Sequence, residues 1–238
     1  MVLTHKLLTS RSTRYEQRLF AADGIKLLEE AAKWSAGLET VILQENVTLD
    51  FPLPAGVRIV SVSRQLMRQI SMMETPQGAI FLCRIPEPQP LAVQPGSIIL
   101  DGLQDPGNLG TILRTADALE VQVTLTEGCA DPYNPKTVRA AMGAVFRSIP
   151  VQAEREEVVT QCRERKIPLF VTALGEKAKD LREAPLKQAA TVIGSEGRGV
   201  SSFYSDRADR NVLIPMNPRC ESLNAATAAT ILMWELRR

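Results

Sequence analysis

The sequence predicts an α/β protein in two parts: a small N-terminal α/β unit, then a larger α/β domain built on a mostly parallel sheet. Three observations carry this. The segment IPEPQPLAVQPG at 85–96 holds four prolines in twelve residues, which cannot continue a helix or a central strand and reads as a semi-rigid linker. After it, short apolar runs alternate with stretches of helical periodicity, the pattern of parallel strands covered by helices. With 238 residues, 45% of them apolar, the chain is long enough for a sizeable core and for one to two domains of about 150 residues each. The expected organisation is therefore residues 1–85, a proline-rich linker at 86–96, and residues 97–238.

In the first part, Ile25, Leu28 and Ala32 recur at helical spacing, with Asp23 placed to cap the helix and Gly37 to stop it. ETVILQ (39–44), GVRIVSV (56–62) and GAIFLC (78–83) read as strands, and SRQLMRQISMM (63–73) as a second helix. In the second part the strands are SIILD (97–101), VQVTLT (121–126), PLFVTAL (168–174), ATVIG (190–194) and NVLIP (211–215). Glycines and polar residues cluster at their carboxyl ends, where ligands of such sheets gather.

The 28 basic and 27 acidic side chains leave a formal charge of only +1, so bulk electrostatics do not drive binding to a polyanion. If a nucleic acid is the partner, a local patch must do the work. Lys6, Arg11, Arg14 and Arg18, facing a single Glu16, form the candidate nucleic-acid-binding patch. Cys83, Cys129, Cys162 and Cys220 are spaced neither as a metal knuckle nor as a disulfide framework and read as reduced, mostly packed thiols. The single histidine, His5, falls in a terminus expected to be mobile, which leaves no histidine triad or metal cluster. No metal is expected. With no apolar run of about 18 residues and no signal-peptide pattern, the expectation is a cytoplasmic protein without a membrane partner. Aromatic residues are too few for a base-stacking strand.

Chemistry-bearing residues concentrate in three segments. DPGNLGTILRTADAL (105–119) is a turn and helix in which Leu109, Ile112, Leu113 and Ala116 share an apolar face and Asn108 is suited to cap the first turn. Arg114 and Asp117 lie opposite, either as a solvated pair or with Arg114 reaching across an anion held by the backbone N–H groups of the loop. VIGSEGRGVS (192–201) runs a strand into Gly194, Gly197 and Gly199, which allow close approach of the backbone to a nucleotide-like group or simply make a turn. This spacing is not the dinucleotide fingerprint, and no phosphate loop with Gly-Lys-Ser/Thr occurs. IPMNPRCESLNAATAATILMWELRR (214–238) places Ser222 to cap a terminal alanine-rich helix, with Ser222, Leu223 and Asn224 at the mouth of the sheet.

In this order the three segments closely resemble the motifs of the SpoU (TrmH-like) branch of the SPOUT RNA 2′-O-ribose methyltransferases. LFAADGIKLLEEA resembles the FxxEGxxxxxEA pattern of the family's substrate-binding domain, and ETPQGAIFLC resembles the segment that closes it. The resemblance covers nearly the whole chain. It implies an N-terminal RNA-binding domain of the ribosomal-protein type, a C-terminal α/β domain with a deep trefoil knot, a homodimer with sites at the subunit interface, and S-adenosylmethionine as methyl donor. The family's catalytic set falls on Asn108, Arg114, Glu196, Ser222 and Asn224. The cofactor site falls on Ala173 and Leu174, on Gly194, Ser195 and Gly199, and on Ile214, Pro215, Met216 and Leu223. Ribosomal RNA is the favoured substrate over transfer RNA. The chain departs from the family pattern at Ala118–Leu119–Glu120 and at Pro218–Arg219–Cys220. A non-catalytic RNA- or ribosome-binding protein that keeps the fold is the competing reading, and the presence of all five catalytic-type residues argues against it.

Overall fold

The computed structural model describes every residue except Met1, Ser35, Glu176, Lys177 and Pro218. In chain order the elements are α1 (Val2–Thr9), α2 (Arg11–Gln17), β1 (Leu19–Asp23), α3 (Ile25–Lys33), β2 (Leu38–Gln44), β3 (Arg58–Val62), α4 (Arg64–Ile70), β4 (Ala79–Arg84), β5 (Ile98–Asp101), α5 (Pro106–Ala118), β6 (Val123–Leu125), α6 (Pro135–Ala141) and α7 (Ala144–Arg147). They continue with β7 (Val151–Gln152), α8 (Arg155–Glu164), β8 (Leu169–Thr172), β9 (Lys179–Asp180), β10 (Ala190–Gly194), α9 (Ser202–Ser205), β11 (Arg210–Leu213) and α10 (Ala225–Arg237).

Packing divides the chain into two compact units at places the sequence does not announce. The first unit comprises the chain through Glu87 together with Asp131–Ile149; the second comprises Pro88–Ala130 and Pro150–Arg238. Two features of the expected organisation change. Residues 131–149, read as part of the second domain, belong with the first. The proline-rich segment is no free linker, because Leu91 and Val93 are buried in the core of the second unit. Gln161 fixes it from both sides, its Nε2 donating to the Leu91 carbonyl at 2.9 Å and its Oε1 accepting from Val93 N at 3.1 Å.

The first unit holds a four-stranded sheet in the order β1-β4-β2-β3, with β4 antiparallel to β1 and β2, and β2 parallel to β3. Ile42, Val62, Met67, Ile70 and Ile80 form one core cluster; Leu7, Leu8, Ala21 and Leu82 form another. The N-terminal stretch is thus a packed helix rather than a mobile tail, because burying Leu7 and Leu8 offsets the entropy of ordering it. Asp23 is the last residue of β1, not a helix cap; Gly24, at φ +124°, stands at the N-cap of α3. The segment 131–149 is held by aromatic contacts, Phe20 lying 5.0 Å from Tyr133 and stacked 6.2 Å from Phe146 between ring centroids.

A buried ion pair completes that attachment. Arg14 and Asp131 are 2% and 4% exposed, with Arg14 Nη2 2.7 Å and Nε 2.8 Å from Asp131 Oδ2. Arg14 Nη1 donates to the Leu7 carbonyl at 2.8 Å. The other carboxylate oxygen accepts from Tyr133 N at 2.9 Å and from the Tyr15 hydroxyl at 3.2 Å.

The second unit holds a seven-stranded sheet in the order β7-β6-β5-β10-β8-β11-β9, and every pairing in it is parallel. Parallel alignment gathers the carboxyl ends of the strands at one edge, so the loops after β5, β8, β10 and β11 can meet there. Each of the five expected strands is present: β10 spans the expected residues in full, β5, β6 and β8 are shortened at their ends, and β11 starts one residue earlier and stops at Leu213. The two-residue strands β7 and β9 carry no sequence signal, since two residues show no periodicity. Helices α5 and α10 pack against each other, and both begin at the carboxyl edge of the sheet.

Candidate functional site

Helix α5 starts where Asp105, not Asn108, caps it: the Asp105 side chain accepts from Asn108 N at 2.7 Å, and Pro106 takes the first helical position, where no N–H is needed. Asn108 is thereby released from capping, and its side chain turns outward to the second and third segments. At the start of α10 the cap is Asn224 rather than Ser222, its Oδ1 accepting from Ala226 N at 3.0 Å and Thr227 N at 3.2 Å. An amide has both an acceptor and donors, so Asn224 caps with its oxygen while its Nδ2 donates to Asn108 Oδ1 at 3.0 Å. Asn108 Nδ2 in turn donates to Glu196 Oε1.

One hydrogen-bonded chain, Asn224 to Asn108 to Glu196, therefore ties the three sequence segments together at one edge of the sheet. The directions are chemically consistent, because a carboxylate can only accept, whereas an amide can donate to one neighbour and accept from another.

Beside this chain lies a cleft of about 560 Å³. Its walls come from the strand ends and the loops that leave them: Thr172, Ala173 and Leu174 at the end of β8, Ile193 through Val200 at the end of β10, and Leu213, Ile214 and Met216 at the end of β11. Glu221, Ser222 and Leu223 close it from the third segment, and Leu181, Ala225, Ala228 and Leu232 supply apolar surface. Of the expected cofactor residues, Ala173, Leu174, Gly194, Ser195, Gly199, Ile214, Met216 and Leu223 all line the cleft; Pro215 does not. Glu196 and Ser222 line it too. Leu181 and Leu232 escape a reading of the sequence, being ordinary apolar positions with no signal of their own.

The glycines have separate roles. Gly194 ends β10 where a Cβ would fall 2.0 Å from the carbonyl carbon and oxygen of Gly199 and 2.2 Å from Val200 N, so only glycine lets the loop fold back on the strand. That return is secured by the paired bonds Gly199 N to Ser195 O at 2.9 Å and Ser195 N to Gly199 O at 3.2 Å. Gly199, at φ +65°, makes the turn, and space is open where a Cβ would stand at Gly197 and Gly199. The loop is anchored beyond its end by Asp101, a 2% exposed carboxylate at the end of β5 whose Oδ2 accepts from Ser201 N at 2.8 Å and whose Oδ1 pairs with Arg155 at 2.8 Å.

Arg114 is exposed on α5 and does not line this cleft in its own chain. The expected N-terminal RNA patch also changes. Arg14 is buried against Asp131 and is structural. Arg18 pairs with Glu87 at 3.0 Å, and Arg11 lies over the Tyr15 ring at 5.5 Å, leaving Lys6 exposed. Sequence alone cannot distinguish a buried arginine from a solvent-facing one in a short helix. The departure at Ala118–Leu119–Glu120 covers the end of α5, where Leu119 is the C-cap and Glu120 takes a left-handed φ of 52°. At the other departure Arg219 and Cys220 are exposed, and Pro218 lies outside the described residues.

A family model described as the SpoU rRNA methylase family matches residues 95–234, which contain all three segments and the whole cleft. The chain belongs to the SpoU rRNA methylase family. A second model, the MRM3-like substrate binding domain, matches residues 2–80. Among SpoU relatives, the chain is 32% identical over 98% of its length and 94% of theirs to the 23S rRNA (guanosine(2553)-2′-O)-methyltransferase RlmP of Bacillus subtilis. It superposes with a TM-score of 0.86 and 31% identity on a putative TrmH-family RNA methyltransferase from Porphyromonas gingivalis, covering 99% of this chain and 96% of that one. An AdoMet-bound rRNA methyltransferase from Sinorhizobium meliloti superposes with a TM-score of 0.86 at 28% identity, covering 100% of this chain and 93% of that one.

Proposed function

We propose that this chain transfers a methyl group from S-adenosylmethionine to a ribose 2′-hydroxyl of ribosomal RNA. The observation that carries the reading is the Asn224–Asn108–Glu196 chain at the rim of a cleft made by three strand ends. The cleft suits the donor. Its volume lies within the range of about 300–1,000 Å³ common for such ligands, apolar walls at Leu181, Ile214, Leu223 and Leu232 suit an adenine, and the open space at Gly197 and Gly199 brings backbone groups to the ligand. When bound, the sulfonium supplies a methyl group already activated for in-line transfer.

What remains for the protein is alignment of the hydroxyl and stabilisation of the charge that develops on its oxygen. Ser222 and Asn224 orient the ribose and the donor. Glu196 holds Asn108, and through it Asn224, in one geometry. Arg114 stabilises the developing alkoxide and clamps the adjoining phosphate. Its guanidinium carries only N–H donors and no acceptor, so it does not act as the base, and the proton leaves to that phosphate or to water.

Because Arg114 is outside the cleft of its own chain, we assign it to the cleft of a second copy in a homodimer. The protein then acts in the cytoplasm on ribosomal RNA, recognised by the first unit through Lys6 and Arg11. No described helix is long and apolar enough to cross a membrane.

The test is complementation between inactive variants. Arg114→Ala and Ser222→Ala, each inactive alone, are mixed, dissociated and reassociated with labelled donor and ribosomal RNA. Action between subunits gives one intact site in each mixed dimer and returns about a quarter of wild-type activity, since about half the dimers are mixed and each has one working site of two. Action within a subunit returns none. A wild-type chain that binds no donor by calorimetry and leaves ribose 2′-hydroxyls open to alkaline cleavage would reject the methyltransferase reading.

A further inference from the structure

At the amino ends of β8 and β11, opposite the cleft edge of the same sheet, lies a second cavity of about 490 Å³. Arg163 and Lys166 reach it from the end of α8 and the turn after it, Arg207 from the turn after α9, and Arg210 from the first position of β11. Asp209 is the one carboxylate among the described residues of its lining. Four cations against one anion is a steep local excess in a chain whose net charge is +1.

The acid is already engaged: Asp209 Oδ2 accepts from Leu169 N at 2.8 Å. The guanidiniums are held by aromatic faces, Arg207 4.1 Å from the Phe203 ring centroid and Arg210 5.4 Å from that of Phe170. Arg207 also donates to the Phe203 carbonyl at 3.0 Å and stands 3.9 Å from the exposed Glu156. Stacking fixes a guanidinium plane while leaving N–H donors at its edge, an arrangement suited to phosphate oxygens. Cations at the end of α8 also complement its dipole, which accounts for Arg163. It does not account for Arg207 and Arg210, which approach from another element.

We propose that this cavity binds backbone phosphates of the RNA substrate, away from the nucleotide that is modified. The proposal rests on the methyltransferase reading for the identity of the polyanion. Strand β8 runs from the cavity at Leu169 to the cleft at Thr172, about 10 Å at the usual rise per residue, so one RNA can engage both edges of the sheet. With Arg14 buried and Arg18 paired, this cluster adds local positive charge to that left at Lys6 and Arg11.

The experiment is fluorescence anisotropy of labelled poly(U) with the full-length chain over a series of salt concentrations. The triple variant Arg163→Ala, Lys166→Ala, Arg207→Ala should bind about tenfold more weakly at low salt. Its plot of log Kd against log salt should be shallower by about one to two, at roughly 0.7 for each single-strand phosphate that is no longer neutralised. S-adenosylmethionine affinity and melting temperature should stay at wild-type values. Should the triple variant fold poorly, Lys166→Glu alone must still weaken poly(U) binding and flatten the slope. Unchanged affinity and slope in variants that still bind the donor would overturn the proposal while leaving the activity standing. Inorganic phosphate should compete with poly(U) no better than chloride of equal ionic strength; saturation at low millimolar phosphate would make this a small-anion site and overturn the RNA assignment.

Discussion

Replacing Arg14 with Met should strongly destabilise the first unit without touching the chemistry of the second. The methionine fills much of the volume of the arginine stem but leaves Asp131, 4% exposed, with only Tyr133 N and the Tyr15 hydroxyl as partners, and leaves the Leu7 carbonyl without its donor. Removing one member of a buried pair costs about 3–5 kcal/mol, because the remaining charge stays in a place that water does not reach. For a unit of roughly 100 residues, about 4 kcal/mol corresponds to a fall of about 15–30 °C in its midpoint. Arg14→Lys keeps the charge but cannot serve both Asp131 and Leu7 with one fork, and should lose about 1.5–3 kcal/mol. Differential scanning calorimetry with and without S-adenosylmethionine reads this directly, since the donor raises only the transition of the unit that binds it. A loss below about 1 kcal/mol would refute the burial energetics. So would weakened RNA binding at an unchanged midpoint, which would return Arg14 to the RNA-facing surface.

Gly194→Ala forces a Cβ into the backbone of Gly199 and Val200 and should weaken donor binding by at least about a hundredfold in calorimetry, with near-normal affinity as the refuting result. At pH 8 a thiol reagent should titrate the exposed Cys220 quickly and the buried Cys83, Cys129 and Cys162 only after denaturation, because burial raises all three and pushes Cys162 up to about 11. Four fast thiols in the native chain would contradict the packing. Desolvation raises the pKa of Asp23 in the folded chain, outweighing the hydrogen bond from Ser71, so its favourable contribution is complete below the unfolded carboxyl range and is lost as pH rises through the folded value. Asp23→Asn should therefore match wild type in stability near pH 3 and exceed it at pH 7; a gap that narrows with rising pH would reverse the assignment.

The parallel sheet was legible because each of its five longer strands is a short apolar run bounded by polar or glycine-rich loops, and such runs need no partner to be recognised. The cleft was legible for a related reason: parallel strands must end together, so loops after different strands share an edge. The helix caps differ from the sequence reading by a few positions, Asp105 in place of Asn108 and Asn224 in place of Ser222, since several residue types in each loop have an oxygen able to accept from the first turn. Those two shifts matter for the site, because a residue freed from capping is free to join the chain across the rim. β1 escapes notice as five residues, four of them buried, with no alternation to mark them. The placement of 131–149 escapes it altogether: Asp131, Tyr133 and Phe146 carry no sign in the sequence of the Arg14 and Phe20 they meet.

That placement sets a timetable for the newborn protein. The N-terminal unit is interrupted in sequence by more than forty residues of the other, so Arg14, Phe20 and Glu30 wait for Asp131, Phe146 and Arg147 to be translated. At about 5–20 residues per second, roughly 3–12 s pass between synthesis of Glu87 and of Ile149. During that interval an unpaired arginine and an uncovered aromatic face are offered to chaperones. A fragment cut at the prolines would remain in that state permanently, so the unit can be transplanted or expressed alone only with both of its segments joined.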